Sequence, residues 1–430
     1  MKPCLQVALD FINGDRALQI AADAVAGGVD WIEAGTPLIK SEGLSIVRKL
    51  RKQFPRHTLV ADMKVMDTGA LETEIAAKAG ANIICLLGAA DNSTIADAVK
   101  AARKYSAEIM VDLLGVADIK KRVQDLESLG VDYLCVHVGI DEQMMGKQPI
   151  KPVQQLVKIT TLPVAVAGGL NSETVVDVIN AGASIVIVGG AITKAHDVKK
   201  ATQTIKQAMT SKTKVPTDLY KKYDVTELKQ AFSQVSTPNI SDAMHRKGAM
   251  TSITPINKGH HIAGPALTVK TMDGDWAKPI EAIDQCTPGT ILVVDTNGGT
   301  TAIWGELATW SAKKQHLEGV VIDGAVRDID DIRKIDYPIF CRHQVVNAGE
   351  PKGLGEIGGE IICGGQSVRT GDWIIGDDSG IVVVPKEQAQ EIANRALDVK
   401  EHENRIREEI KQGKTLNSVV DVEKWEKIVG

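Results

Sequence analysis

Residues 163–190 read PVAVAGGLNSETVVDVINAGASIVIVGG, and this stretch decides the fold. The run PVAVA is apolar and β-type, and it ends in the pair Gly168-Gly169. From Ser172 to Gly182 the apolar residues recur at helical spacing. Ala181-Gly182 then reads as a glycine helix stop, followed at once by the strand-like run SIVIV and a second pair, Gly189-Gly190. A strand apolar on both faces, a helix and another such strand make the βα unit of a parallel sheet.

Outward from there, the unit repeats. LQVALD, WIEAG, TLVADMK, NIICLLG, EIMVDLL and YLCVHVG are the six earlier strand runs, with helical patterns between them such as Ala17 to Gly27. GG-VD, AG-AN, LG-VD and AG-AS stand before the second, fourth, sixth and eighth strands, each a glycine stop and a strand start. Eight units between Leu5 and Met209 predict an α/β fold, a (β/α)8 TIM barrel over residues 1–210. A doubly wound open sheet is the alternative, because counting strands does not close a barrel.

The polar residues follow the same frame. Asp10 ends the first strand and Glu33 the second, Asp62 and Lys64 end the third, Asp112 lies on the fifth and His137 on the sixth. Asp62 and Lys64 are two apart and so share one face of a strand. Buried charges there must pair or meet a ligand. A structural ion pair accounts for one such couple, but not for six polar residues gathered at the strand ends where this fold builds active sites. Gly168, Gly169, Gly189 and Gly190 follow strands seven and eight, where barrels often hold phosphate on backbone amides. Glu33 and Asp62 are hard oxygen ligands suited to magnesium, and His137 can move a proton near neutral pH. A metal beside Lys64 suits an enediolate, hence carbon–carbon bond chemistry next to the carbonyl of a sugar phosphate.

Composition agrees with an enzyme. Hydrophobic residues are 43% and charged residues 24% of the 430, and the net charge of -5 argues against a basic nucleic-acid surface. Six scattered cysteines form no metal-finger spacing, and those in apolar runs read as reduced thiols of a cytoplasmic protein. The start of the chain carries no secretory pattern, and no run approaches about 18 apolar residues, so no membrane span is expected.

The first half resembles a known family. DMKVMD is similar to the D-x-K-x-x-D signature of the orotidine monophosphate decarboxylase superfamily, and EAGTPLIKSEG, CVHVGID, VAGGL and VGGAIT resemble 3-hexulose-6-phosphate synthase in order along the chain. The resemblance implies a magnesium-dependent (or manganese-dependent) aldol reaction joining ribulose 5-phosphate and formaldehyde, or its reverse. It implies Asp10, Lys64, Asp67 and His137 as catalytic residues, Glu33 and Asp62 as metal ligands, and a dimer in which Asp67 reaches the neighbouring site. Ketogulonate phosphate decarboxylase is the near alternative, but its usual arginine three residues after the strand-six histidine is Ile140 here.

The second half differs. Residues 211–217 read as a polar, basic linker before a domain at 218–430. SQVSTPNISDAM starts a helix capped by Ser241 or a neighbour, and TILVVDT, EGVVIDGAVRD, PIFCR, SVRTGDWIIGD and GIVVVP are short strands of a mixed α/β domain. The tail from Lys386 reads as a solvated or interface helix, His260-His261 as a loop pair, and Asp377-Asp378 as a turn. Gly305 and the next amides, including that of Leu307, open a helix and offer donors to a carboxylate. Arg327 suits a two-pronged grip on a carboxylate, while Glu306 and Asp328 suit a divalent ion, an ordinary surface turn being the alternative.

GELATWSAKKQHLEGVVIDGAVRD with GDWIIGDDSGIVVVP resembles the family of 4-hydroxy-4-methyl-2-oxoglutarate aldolase and the regulator of ribonuclease activity A, over about Thr217 to Gln390. That resemblance implies a swivelling β/β/α domain, trimers or hexamers, and metal-assisted chemistry on a small oxo acid by Glu306, Arg327 and Asp328, with Asp331 at a following acidic position. Its regulator branch instead binds ribonuclease E and performs no chemistry.

Overall fold

The computed structural model describes residues 3–217 and 219–420. Residues 1–2, 218 and 421–430, which fall within the expected domain ranges, lie outside the described residues.

Eight strands form the first half: β1 Cys4–Leu9, β2 Trp31–Ala34, β3 Thr58–Val65, β4 Ile83–Leu87, β5 Glu108–Asp112, β6 Tyr133–His137, β7 Val164–Ala167 and β8 Ile185–Val188. Each pairs in parallel with the next, and β8 returns to β1 with Ile185 opposite Cys4, so the barrel is closed rather than doubly wound. The lumen is filled by alternate strand residues, among them Val60, Ile83, Cys85, Met110, Cys135 and Ile187. The opposite strand faces pack on helices whose apolar stripes follow the expected spacing. In Asn92–Lys104 the buried residues are Ile95, Ala98, Val99 and Ala102. Asn13, Asp118 and Asp197 cap three of the helices by each accepting the backbone N–H three residues on, Gly130 ends the helix that Asp118 starts, and Gly80 ends another, both glycines in the left-handed region.

Contacts divide the chain into two units. The first takes Met1–Gln143, Lys147–Lys222 and the residues from Glu401; the second takes Met144–Gly146 and Tyr223–Lys400. Helical structure continues to Ser211 with Met209 buried, and beyond it Val215 and Tyr220 still pack on the barrel core.

The second unit contains β9 Thr254–Pro255, β10 Ile262–Lys270, β11 Ile291–Asp295, β12 Ala302–Trp304, β13 Gly319–Val326, β14 Ile339–Gln344, β15 Glu356–Ile357, β16 Ile361–Cys363, β17 Gln366–Val368, β18 Trp373–Asp377 and β19 Gly380–Val384. The main sheet runs β19-β18-β10-β11-β13-β14-β9, nearly closed, with β12 added to β13 and β15 to β10. Its helix Thr237–Ala243, which follows the short helix Leu228–Phe232, is capped by Ser236 in a capping box with Asn239, five residues before Ser241. Asp377 accepts from Ser379 N at 2.8 Å, the expected turn, and its other contacts tie it to Thr237. The helix Ala389–Lys411, read from its charges as solvated or interfacial, is packed along its first half. Ala389, Ile392, Ala393, Ala396 and Leu397 form a stripe buried against Phe232 and Val384, because small and branched residues recur at helical spacing between the charges.

Candidate active site

The barrel's polar residues converge at the C-terminal ends of its strands. Lys64 Nζ lies 3.0 Å from Asp62 Oδ2 and 3.2 Å from Asp112 Oδ2. Asp112 Oδ2 also meets His137 Nδ1 at 2.8 Å, and Asp112 Oδ1 accepts from Leu114 N at 2.9 Å. Thr36 Oγ1 donates to Asp62 Oδ2 at 2.9 Å. The strict strand alternation that placed Asp62 and Lys64 on one face does not hold. Lys64 has φ 46, and the β3–β4 register shifts between Ala61 and Val65. The bulge re-aims the ammonium towards Asp62 and Asp112, and strained backbone of this kind gathers at functional sites.

Electrostatics separate the groups. Burial opposes the charge on Lys64, but Asp62 and Asp112 outweigh it and raise its pKa. Burial would raise the Asp112 pKa, yet His137, Lys64 and the Leu114 amide together hold it below the usual carboxylate value. Glu33 is buried, and desolvation, then Asp62 and Asp10, push its pKa well up. Asp10 keeps accessible surface at the mouth, but the surrounding walls desolvate its carboxyl, and with Asp62 they raise its pKa too. Gln6, a buried residue in the β1 apolar run, donates through Nε2 to Glu33 Oε2. Its carbonyl oxygen Oε1 has no partner.

These residues fit a magnesium ion. Glu33 and Asp62 supply hard oxygens, a cation would relieve the crowding of Glu33, Asp62 and Asp10, and Gln6 Oε1 is an unmatched acceptor next to them. Among the described residues no three His, Cys, Asp or Glu side chains are grouped so as to hold a metal ion by themselves.

The glycine pairs differ from one another. Gly168 and Gly169 have φ 110 and 67, and a methyl on Gly168 would meet Val138 O at 2.4 Å. Gly189 and Gly190 lie outside the left-handed region, and a methyl on Gly190 would strike the Tyr220 ring at 2.3 Å. Gly35, after β2, is needed for another reason, since a methyl there would lie 2.1 Å from Asp10 Oδ1. Asp67 stands apart: it is exposed, and it accepts from Thr68 Oγ1 at 3.4 Å instead of meeting Lys64 or Asp62.

In the second unit Glu306, Leu307, Arg327 and Asp328 line a cavity of about 290 Å³ with Trp276, Ile280 and Ser311. Asp328, at φ 60, follows the fully buried β13 and accepts from Glu306 N at 3.1 Å. Arg327 Nε lies 3.5 Å from Asp328 Oδ2. A methyl on Gly305 would stand 2.5 Å from Asp328 Oδ2, so the glycine is there for the approach of the carboxylate. Leu307 opens the helix Glu306–Lys314 with an exposed side chain. Asp331 pairs instead with Lys334 at 2.8 Å. His260 and His261 go separate ways, to Asp336 and to Val235 O.

Sequence reasoning missed Gln6, Thr36 and Tyr220. Gln6 carried a signal, a polar residue inside an apolar strand, and Thr36 lay within the motif EAGTPLIKSEG; Tyr220 carried none.

Residues 3–205 match the family described as orotidine 5'-phosphate decarboxylase / HUMPS family, and residues 237–383 match the family described as RraA-like, Aldolase/RraA. The 3-hexulose-6-phosphate synthase of Bacillus subtilis (strain 168) is 39% identical over 204 residues, 47% of this chain and 97% of that protein. That of Mycobacterium gastri is 42% identical over 205 residues, 48% of this chain and 99% of that protein. A crystal structure of Streptomyces coelicolor RraAS2, described as an unusual member of the RNase ES inhibitor RraA protein family, is 27% identical with a TM-score of 0.40, covering 43% of this chain and 98% of that one.

Proposed function

The chain belongs, through residues 3–205, to the orotidine 5'-phosphate decarboxylase / HUMPS family, and on that premise we propose that its barrel is a 3-hexulose-6-phosphate synthase joining ribulose 5-phosphate to formaldehyde. The observation that carries the reading is the chain of contacts from Asp62 through Lys64 and Asp112 to His137, beside buried Glu33.

Each group has a task. The amides around Gly168, Gly169, Gly189 and Gly190 bind the phosphate. Asp112 fixes the His137 ring through Nδ1, which leaves Nε2 to take the proton from C1 of the sugar. The C1 electron pair then bonds to the formaldehyde carbon, and the formaldehyde oxygen takes up a proton. Lys64 faces the negative charge that develops at the carbonyl, and Asp10, its pKa raised, exchanges a proton with a sugar oxygen. Glu33 and Asp62 would hold magnesium, which supplies Lewis-acid stabilisation of an enediolate. Asp67, outside this network, serves the site of a second copy in a dimer. The test is to incubate the full chain with magnesium, ribulose 5-phosphate and formaldehyde and identify the product. Hexulose 6-phosphate supports the reading; carbon dioxide release from ketogulonate phosphate with no formaldehyde exchange overturns it.

For the second unit we propose metal-assisted cleavage of a 4-hydroxy-2-oxo acid, with Arg327 gripping the oxo acid and Glu306 and Asp328 serving the metal. Support comes from the convergence of these three on one cavity. Tight binding to a ribonuclease E-type protein, with no turnover of any oxo acid, would make the unit a regulator instead.

A further inference from the structure

The residues after the last barrel helix lie against the two loops assigned above to phosphate. Ser172 Oγ donates to Val215 O at 2.7 Å, and Val215 N donates to Ser172 O at 3.3 Å. Thr217 N donates to Glu173 Oε1 at 2.9 Å. These contacts bind the turn that follows Gly168 and Gly169. Tyr220 reaches the other loop: its buried ring presses on Gly190, close enough that no Cβ fits between them. Its hydroxyl points to Gln143 Oε1 at 3.4 Å, and Gln143 is the side chain nearest Gly169. Lys194 and Lys222 place their ammonium groups 5.3 and 4.4 Å from the centre of the same ring.

Tyr220 is also held in an unusual way. Its φ is 56, a region that costs a bulky residue free energy unless the surroundings impose it. Glu401 Oε1 accepts from Tyr220 N at 2.6 Å and supplies part of that restraint. An aromatic ring forced into this conformation, against a glycine of the β8 loop and linked to a neighbour of the β7 loop, braces both loops at once.

We propose that Val215, Thr217 and Tyr220 form a strap that sets the two glycine loops at the spacing a phosphate group requires, with Tyr220 as its positioning residue. The strap touches neither the Lys64–Asp112–His137 contacts nor Glu33, so its effect falls on binding of the phosphorylated substrate and not on the bond-making step. The proposal rests on the synthase reading, and the phosphate-binding measurement separates the two.

The experiment uses the full chain, Tyr220→Ala, Tyr220→Phe and Glu401→Ala, with folding checked by circular dichroism. Steady-state kinetics vary ribulose 5-phosphate and formaldehyde separately, and calorimetry follows binding of inorganic phosphate. Tyr220→Ala should raise the KM for ribulose 5-phosphate and weaken phosphate binding by about tenfold or more, with kcat within about threefold and the KM for formaldehyde unchanged. Tyr220→Phe, which keeps the ring on Gly190 but loses the hydroxyl contact with Gln143, should shift the same KM by less than Tyr220→Ala. Glu401→Ala should shift the same KM in the same direction by less, which keeps the proposal testable if Tyr220→Ala does not fold. Unchanged KM and phosphate binding in folded Tyr220→Ala, or a fall in kcat alone, would overturn the strap. A parent chain that binds neither phosphate nor ribulose 5-phosphate would remove the synthase reading and the strap with it.

Discussion

Asp112 holds His137 Nδ1 at 2.8 Å with the same carboxylate oxygen, Oδ2, that takes Lys64 Nζ at 3.2 Å. One buried atom thus orients the proton carrier and anchors the cation. Asp112→Asn keeps the shape but removes the charge, and kcat should fall by about a hundredfold or more in a folded protein. The pH sign follows from the depressed Asp112 pKa. Its stabilisation is complete above the unfolded value of about 3.9 and is lost as the pH falls through the lower folded value. Acid titration followed by circular dichroism should therefore show a shallower acid limb in Asp112→Asn than in the parent.

Lys64 separates charge from backbone. Asp62→Ala, Lys64→Ala and Lys64→Gly should each lose about a hundredfold or more of synthase turnover. Of the two lysine variants, Lys64→Gly should melt higher, because glycine adopts φ 46 without the roughly 1 kcal/mol that a Cβ costs there. Near-normal turnover in folded Lys64→Ala would remove the catalytic role given to the ammonium.

Magnesium binding should release protons. Glu33 and Asp10 have raised pKa values, so each holds its proton to a higher pH than a free carboxylate, and a cation must displace what remains. Affinity should rise with pH, and calorimetry in two buffers of different ionisation enthalpy should give heats that differ in the sense of proton release. Equal heats in both buffers would contradict the assignment of Glu33 as a ligand.

The second site can be isolated in the intact chain by silencing the barrel with Asp62→Ala. Oxo-acid cleavage, or decarboxylation of oxaloacetate by the same site, should then persist with magnesium or manganese. Adding Asp328→Ala should abolish both the turnover and its metal dependence. Arg327→Lys should lose about tenfold or more, since lysine keeps the charge without the two-pronged contact. Turnover no higher than the metal-only background in the parent would end the enzyme reading of this unit.

Asp275 gives a stability test outside the barrel, next to Trp276 of the second unit's cavity. It accepts backbone N–H groups from Ala277, Lys352, Gly353 and Leu354, which hold its pKa down against the opposing effect of burial. Asp275→Ala leaves these donors unmatched and should cost roughly 2 kcal/mol, read by urea unfolding. The difference from the parent should shrink as the pH falls below the unfolded value of about 3.9 and on through the lower folded value, where the native carboxylate is protonated.

The barrel was legible because its strands are apolar on both faces and its helix stops are glycines, as at Gly80 and Gly130. Asp10, Glu33, Asp62, Lys64 and His137 were legible because each is a polar residue ending an apolar run. The contacts among them were not. Asp112 pairs in register with Cys135, so its meeting with His137 two residues further on depends on barrel closure and side-chain length. Lys64 depends on a bulge that no residue type announces. Tyr220 lies past the last periodic helix, where neither spacing nor composition gives its partner. The apolar stripe of Ala389–Lys411 was hidden for a different cause: charged residues dominate its composition, and only their phase reveals the buried side.

The barrel leaves no strand edge, because β1 and β8 pair, but the second sheet ends at β19, whose five residues are Gly-Ile-Val-Val-Val. Met250 N donates to Ile381 O and Val383 N donates to Gly248 O, so a few residues of irregular chain close that edge. Local opening at 248–250 would bare a short, uncharged, β-branched template for pairing with another molecule. Self-association on mild heating should therefore begin at β19, before the barrel unfolds, and a lysine in place of Val382 would slow it at some cost to the core.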